Sequence, residues 1–350
     1  MSAPPPRRPA ARRRAVVVPA ALAALLLAGC GEHAVLGPDG PAARSIARLG
    51  WFMLIAAFVI GGGYLLGLGY ALWRGGRRPA TPPGEGGRPA HGERDERSER
   101  GLVVAGGVVL PVLVIAALTT LSLNILNDRP PPDALSLHVI GHRYWWEVRY
   151  PAAGATPGFT TANEFVIPVG RPVAITLDSA DVQHSFWLPD LAGKMDLYPG
   201  RTNQLVIQAD HTGRYRGQCA ELCGVQHANM AFTVQAVPPD EFAAYLTHHA
   251  APAAPPDTDA ERAGQAAFLS RPCAGCHTIR GTAAAGELGP DLTHLASRRT
   301  IGAGVAPNDR GHLGGWVANS QTMKPGNEMP PVPLTPQQLQ DLLVYLESLE

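Results

Sequence analysis

Cys219, Glu221, Cys223, His227 and Met230 fall within twelve residues, Cys-Ala-Glu-Leu-Cys-Gly-Val-Gln-His-Ala-Asn-Met. Two thiolates, an imidazole and a thioether on one short loop make a soft-metal site. Soft sulfur ligands favour copper, and a thioether is a poor ligand for zinc. A mononuclear blue-copper centre needs only one cysteine, whereas two cysteines four apart can bridge a pair of copper ions. Such a pair shares its charge over two metals and two sulfurs, so it changes geometry little on gaining an electron. That suits electron transfer rather than substrate chemistry. The pair needs a second imidazole, and the candidate is His184 in Asp181-Val182-Gln183-His184, after the strand-like run Val173–Leu177. The backbone carbonyl of Glu221 can fill the remaining capacity. A zinc site, or a Cys219–Cys223 disulfide beside an unrelated histidine, is the alternative, and neither uses Met230.

Cys273-Ala274-Gly275-Cys276-His277 is a C-x-x-C-H stretch, the attachment pattern of c-type haem. Its two sulfurs would bond the haem vinyl groups and His277 would be the proximal iron ligand. A thioredoxin-like redox pair and half a zinc site share the spacing. No second C-x-x-C completes a zinc site, and no neighbouring βαβ pattern supports the redox pair. A low-spin electron carrier needs a sixth ligand, and methionine raises its potential. Met323 and Met329 are the choices.

The elements that must carry these groups divide the chain. Arg7–Arg14 and the apolar Ala15–Ala28 have the layout of a secretory signal ending near Cys30. A retained third membrane helix is the alternative, but fourteen apolar residues span only about 21 Å of a hydrocarbon core of about 30 Å. Trp51–Trp73 and Leu102–Ile125 are free of charged residues, and as helices they reach about 34 and 36 Å. Pro111 is expected to kink the second, and Gly61–Gly63 allow close helix contact in the first. The stretch between them carries seven arginines from Arg74 to Arg100, which by the positive-inside rule places it in the cytoplasm and both flanking ends outside. The whole chain is neutral, with 29 basic and 29 acidic residues. Without residues 1–29, which hold five arginines and no acid, it carries −5. From Asp128 onward the balance is 15 basic to 22 acidic. Such an exterior is soluble and could steer a basic donor protein. No nucleic-acid partner is expected.

Ser136–Ile140, Glu164–Val169, Val173–Leu177, Asn203–Ile207 and Met230–Val234 read as short strands, the pattern of a β-sandwich or Greek-key barrel. If Tyr144-Trp145-Trp146 lies on a strand, Tyr144 and Trp146 share a face and Trp145 takes the other. Asp240–Thr247 reads as a helix capped by Asp240. Residues 248–257 form an Ala- and Pro-rich, semi-rigid linker with His248 and His249 in solvent. Asp259–Leu269 reads as a helix leading into Cys273. The last helix has Thr335 as N-cap, Pro336 at the first position and Gln338 at the third. Leu339, Leu342, Leu343 and Leu346 form its apolar stripe.

The Cys219–Met230 loop, the Asp181–His184 motif, Pro199-Gly200-Arg201 and Gly141-His142-Arg143-Tyr144-Trp145-Trp146 resemble subunit II of haem-copper cytochrome c oxidase over about residues 41–245. The resemblance implies a cupredoxin fold and the binuclear centre CuA, with His184, Cys219, Glu221 (carbonyl), Cys223, His227 and Met230 as ligands. It implies that the Glu221 side chain helps bind a magnesium ion at the interface with subunit I. It also implies that the aromatics Tyr144, Trp145 and Trp146 lie near the copper, where the family receives electrons from cytochrome c. A tryptophan usually stands at the position of Tyr144, which puts entry of electrons from a soluble donor at that point in doubt. Lys324–Pro330 and Gly289-Pro290-Asp291-Leu292 resemble class I cytochromes c, which implies Met329 as the axial ligand and Met323 as packing. Leu27-Ala28-Gly29-Cys30 resembles a bacterial lipobox, implying acylation of Cys30.

The expected architecture is a multidomain membrane protein with a two-helix transmembrane hairpin, an all-β cupredoxin-like Greek-key domain and an all-α cytochrome c domain. Its expected parts are a signal peptide (1–29), an N-terminal segment with two membrane helices at 51–73 and 102–125 (30–127), a CuA domain (128–247), the linker (248–257) and the haem domain (258–350). The resemblance implies a caa-type oxidase subunit in the bacterial inner membrane, its CuA and haem domains on the periplasmic side. Cytochrome c or a quinol–cytochrome c reductase would be the donor. Subunit I, with haem a and a haem a3–CuB centre, and subunit III would be the partners, with oxygen reduction and proton pumping belonging to subunit I. Fusion would give the tethered haem an effective concentration of order millimolar. Rival readings are the copper subunit of a nitric oxide reductase and a copper-delivery lipoprotein.

Overall fold

The computed structural model describes residues 37–75, 93–126 and 130–350. The signal segment, with Cys30, and most of the arginine-rich connection lie outside these residues. Helix α1 (Pro41–Gly75) begins ten residues before its long apolar run. Its first turns lie on the β-domain: Ala43 and Ala47 are buried, the Ala43 N–H donates to the Leu191 carbonyl, and Arg44 pairs with Asp210. Beyond that point its large apolar side chains face outward. The second span is composite. Helix α2 (Glu93–Val104) passes through a π-helical segment, Ala105–Val109, into α3 (Leu110–Leu126). A π-helical segment thus immediately precedes Pro111, where a kink was expected. Proline lacks an N–H and its ring crowds the carbonyl four residues back, which lies inside that segment. Pro41–Gly75 and Ser98–Leu123 are both long and apolar enough to cross a membrane.

The central domain is a sandwich of two five-stranded sheets. One has the order β3-β2-β1-β5-β8, built from β1 (Leu135–His142), β2 (Trp145–Tyr150), β3 (Phe159–Ala162), β5 (Val173–Ser179) and β8 (Asn203–Ile207). The other has the order β4-β10-β9-β6-β7, from β4 (Glu164–Pro168), β6 (His184–Trp187), β7 (Lys194–Leu197), β9 (Gly213–Cys219) and β10 (Ala231–Val237). β1 pairs with β5, and β4 with β10, in parallel, so each sheet closes through crossovers of the Greek-key kind. Inward residues alternate with outward ones. Leu137 and Val139, Val173, Ile175 and Leu177, and Phe232 and Val234 fill the space between the sheets.

Three sequence expectations are corrected here. Tyr144 is in the turn before β2 rather than on the strand, although it is buried like Trp146 while Trp145 stacks on His142 at 4.3 Å. Helix α4 spans Pro239–Ala250, and its N-cap is Pro238, with no side-chain cap from Asp240. His248 and His249 are therefore helical. His249 is half-buried against Tyr245 and His294, and burial pushes its pKa down to about 3.

The C-terminal domain packs α5 (Asp259–Ser270), the single turn α6 (Cys273–Cys276), a small β11–β12 pair (Thr300–Ile301, Ala306–Pro307), α7 (Arg310–Asn319) and α8 (Pro336–Glu347). Helix α5 starts with a reciprocal capping box between Thr258 and Glu261, and α8 with the expected one between Thr335 and Gln338. Leu342, Leu343 and Leu346 of the predicted stripe are buried, and Leu339 packs beside them.

Candidate metal centre and haem site

Strands β9 and β10 are antiparallel neighbours, so the loop between them is held at both ends. The Cys219 N–H donates to the Met230 carbonyl at 2.9 Å and closes it. Within the loop, Cys219 Sγ lies 3.8 Å from Cys223 Sγ, and Cys223 Sγ lies 3.8 Å from both His227 Nδ1 and Met230 Sδ. His184 opens β6, the other neighbour of β9, and its Nδ1 is 3.9 Å from Cys219 Sγ. The Glu221 carbonyl is 3.2 Å from the same sulfur. All six residues of the expected copper set therefore converge. Cys219, Cys223, His184 and Met230 are buried, and His227 and Glu221 half-buried.

The environment prepares this donor set. Contact with the Cys223 thiol, aided against burial by the His184 ring, pulls the Cys219 thiol down to about 3, while Cys223 is pushed up by its neighbour. One thiolate thus forms readily, and a second needs a cation to compensate it. Burial works most strongly against a charged His184, but its bond to Asp181 (Nε2 to Oδ1, 2.8 Å) and its contact with the Cys219 sulfur together outweigh burial and raise its pKa. With Nε2 donating to that carboxylate, Nδ1 is left with its lone pair toward the sulfurs. Asp181 belonged to the sequence motif without a role. Its position three residues before a candidate ligand was the available signal. Trp146, fully buried, packs on His184 (ring centres 6.0 Å apart) and points Nε1 toward the Met230 carbonyl at 3.4 Å. Buried sulfurs and imidazoles in this arrangement fit a copper pair, and Met230 has no use in a zinc site or a disulfide.

In the C-terminal domain Cys273 and Cys276 occupy opposite ends of one helical turn, both partly exposed. His277 follows in extended conformation. Its Nδ1 donates to the Pro290 carbonyl at 2.8 Å, since a carbonyl only accepts, and Nε2 is left as a free donor atom. Burial lowers the His277 pKa, which keeps the ring neutral as a ligand must be. Arg280 and Arg298, drawn to Asp291, buttress the Pro290–Asp291 turn. Met329 is half-buried on a loop whose backbone is fixed. Its N–H donates to Asn327 Oδ1 at 2.8 Å, and its carbonyl accepts from Ser320 Oγ at 3.0 Å and Gln321 Nε2 at 3.1 Å. Met323 packs instead against the domain's apolar core. The residue set fits a covalent haem.

A cupredoxin-like sandwich with a sulfur-rich copper loop, two apolar helices ahead of it and a c-type haem domain behind it define a membrane-linked electron-transfer oxidoreductase subunit. The family description "Cytochrome C oxidase subunit II, periplasmic domain" matches residues 152–237, and "Cytochrome c" matches residues 261–350. Cytochrome c oxidase subunit 2 of Alkalihalophilus pseudofirmus is 36% identical over 251 residues, covering 69% of this chain and 71% of that protein. The corresponding proteins of Bacillus sp. PS3 and Bacillus subtilis are 31% and 29% identical, covering 72% and 88% of their lengths and 69% and 87% of this chain. The chain belongs to the cytochrome c oxidase subunit 2 family, as a member with a C-terminal cytochrome c domain.

Proposed function

We propose that this chain is the electron-receiving subunit of a caa-type cytochrome c oxidase. Bound haem and a CuA pair would supply one-electron chemistry, taking electrons from a cytochrome c donor and delivering them to haem a of subunit I, where oxygen is reduced to water and protons are pumped. The protein's part is to hold the two groups. Cys273 and Cys276 carry the haem, His277 and Met329 flank its iron, and His184, Cys219, the Glu221 carbonyl, Cys223, His227 and Met230 bind copper. Glu221, joined to the copper loop by its backbone, directs its side chain to a magnesium ion shared with subunit I. Residues 1–29 are removed, Cys30 is acylated, and 30–127 anchor the chain so that the CuA domain (128–247), linker (248–257) and haem domain (258–350) stand outside the inner membrane, beside subunits I and III.

The observation that carries this reading is the pair of buried sulfurs 3.8 Å apart, each with an imidazole nitrogen within 3.9 Å. A bridging pair places its sulfurs and rings in this way, and the sandwich limits their movement on reduction. Paramagnetic resonance and optical spectra of the purified membrane complex test it. A mixed-valence two-copper signal beside a low-spin c-type haem is expected. Cys223→Ser should abolish the copper signal and leave the haem reducible. One labile copper with no mixed-valence signal would refute the reading.

A further inference from the structure

Besides a backbone bond from the Ala231 N–H to the Ala303 carbonyl at 3.1 Å, the haem domain meets the sandwich along two strips. In the first, Glu164 at the start of β4 accepts the backbone N–H groups of Arg299 (3.0 Å) and Thr300 (2.8 Å) and the Thr300 hydroxyl (2.5 Å). In the second, the loop bearing Met329 lies against the copper loop. Gln226 Nε2 donates to the Pro325 carbonyl at 2.7 Å, and Arg143 pairs with Glu328 at 3.0 Å.

Lys324 is at the centre of the second strip, and its side chain is in an unusual place for a lysine. The residue is 2% exposed, and no carboxylate pairs with it among the described residues. Its Nζ donates to three backbone carbonyls, those of Tyr144 (2.8 Å), Asn229 (2.7 Å) and Gly302 (2.6 Å). An ammonium has three N–H groups, so all three are used. The first two carbonyls belong to the sandwich and the third to the haem domain. Burying a charge is costly unless its hydrogen bonds are made, and here two of the three are made only in the docked arrangement. The contacts are also close to both centres. Asn229 is bonded to Met230, and Tyr144 has its ring against Gly224 beside Cys223. Five residues along the chain from Lys324 is Met329.

We propose that Lys324 is a positioning residue that locks the haem domain onto the copper loop, so that haem-to-copper transfer proceeds from a fixed pose with no diffusive step. This rests on the electron route proposed above. In that step one electron leaves the ferrous haem, which becomes ferric, and enters the oxidised copper pair, which becomes fully reduced. No bond breaks and no proton is required. Withdrawing the ammonium leaves three carbonyls unpaired in the interface, so the docked population should fall on the order of tenfold or more.

The test uses the assembled membrane enzyme with Lys324→Met, similar in length but without donors, and Lys324→Arg, which retains them. Flash photoreduction of the haem followed at the copper band gives the transfer rate. In the native enzyme this rate should not depend on solvent viscosity. In Lys324→Met it should fall about tenfold or more and become viscosity-dependent, with the optical spectra of both centres unchanged. The Arg299 and Thr300 amides, which the Glu164 contact covers, should exchange hydrogen faster. Lys324→Arg should recover part of the rate. An unaltered, viscosity-independent rate in Lys324→Met would overturn the clamp. So would viscosity dependence in the native enzyme, which settles the matter even if Lys324→Met does not assemble. Absence of any haem-to-copper transfer in the native enzyme would instead overturn the electron route, and the clamp with it.

Discussion

Gly141→Ala is the most direct probe of how the fold places its copper ligands. Gly141 is near the end of β1, opposite Trp146 in register, and its carbonyl accepts from Ala180. A methyl group added there would be 2.9 Å from His184 Cδ2, 3.1 Å from Cγ and 3.3 Å from Cβ. Ordinary carbon–carbon contact is about 3.5–4.0 Å, so the ring or the strand must move by about half an ångström or more. Neither moves freely. His184 is fully buried, Asp181 holds its far nitrogen at 2.8 Å, and Trp146 lies over it. Overpacking of this kind costs about 1–3 kcal/mol, or roughly 5–20 °C in the melting temperature of a domain of about a hundred residues. The displaced ring is a proposed copper ligand, and disturbing a ligand's support typically lowers metal affinity about 10–100-fold. Copper titration of the purified domain pair, with scanning calorimetry on the same samples, reads both effects. The haem spectrum serves as an internal control, because the three atoms nearest the added methyl all belong to His184. Native copper affinity with an unchanged melting temperature would show that His184 is not confined as described, and the argument for a rigid copper loop would fail.

The haem domain offers two further tests. Met329→Ala should leave the haem covalently attached but remove its low-spin six-coordinate spectrum, whereas Met323→Ala should keep that spectrum and cost about 1–2 kcal/mol of stability from lost packing. The reverse pattern in the optical spectra would transfer the axial role to Met323. Glu261 accepts the N–H groups of Asp257 (2.6 Å) and Thr258 (3.3 Å), and these bonds hold its carboxyl below the ordinary 4.5. A carboxyl lowered in the folded state stabilises it above the unfolded value and loses that effect as pH falls through the folded value. Glu261→Ala should therefore melt below native at pH 6 and converge with it as pH drops well under about 4. A gap of constant size across that range would rule out the charged cap.

The residues that chemistry needs were the most legible. Ligand types at short spacing, C-x-x-C-H, and the Thr335–Gln338 capping box can be read because each depends on residues close in the chain. The strand Val173–Ser179 was legible because its apolar residues alternate, and Asn203–Ile207 because it holds a short apolar run. β9 was not, although it carries Cys219. Its sequence, Gly-Arg-Tyr-Arg-Gly-Gln-Cys, has a glycine at the inward position 217 because the Phe232 ring fills the space a side chain would take, at 2.1 Å from a built Cβ. The alternation is present, but half of its apolar signal comes from the neighbouring strand. The parallel pairings of β1 with β5 and β4 with β10 were equally hidden, since pairing across crossovers leaves no local mark.

The docking of the two domains was wholly illegible, and it bears on the one departure from the family pattern that the sequence revealed. A tyrosine stands where the family usually has a tryptophan, at the place where a soluble donor would deliver electrons. In the structure Tyr144 is 7% exposed, and its carbonyl, 180 residues from Lys324, is bound by that side chain. The Tyr144 ring is buried in the core of the sandwich and its carbonyl faces the haem domain, so an external donor would not meet it at the surface. What the structure asks of this position is a buried ring that packs against Gly224 and a carbonyl that faces Lys324. The buried tyrosine and the buried lysine 180 residues away thus belong to one contact, in which the Tyr144 carbonyl accepts from Lys324 Nζ at 2.8 Å.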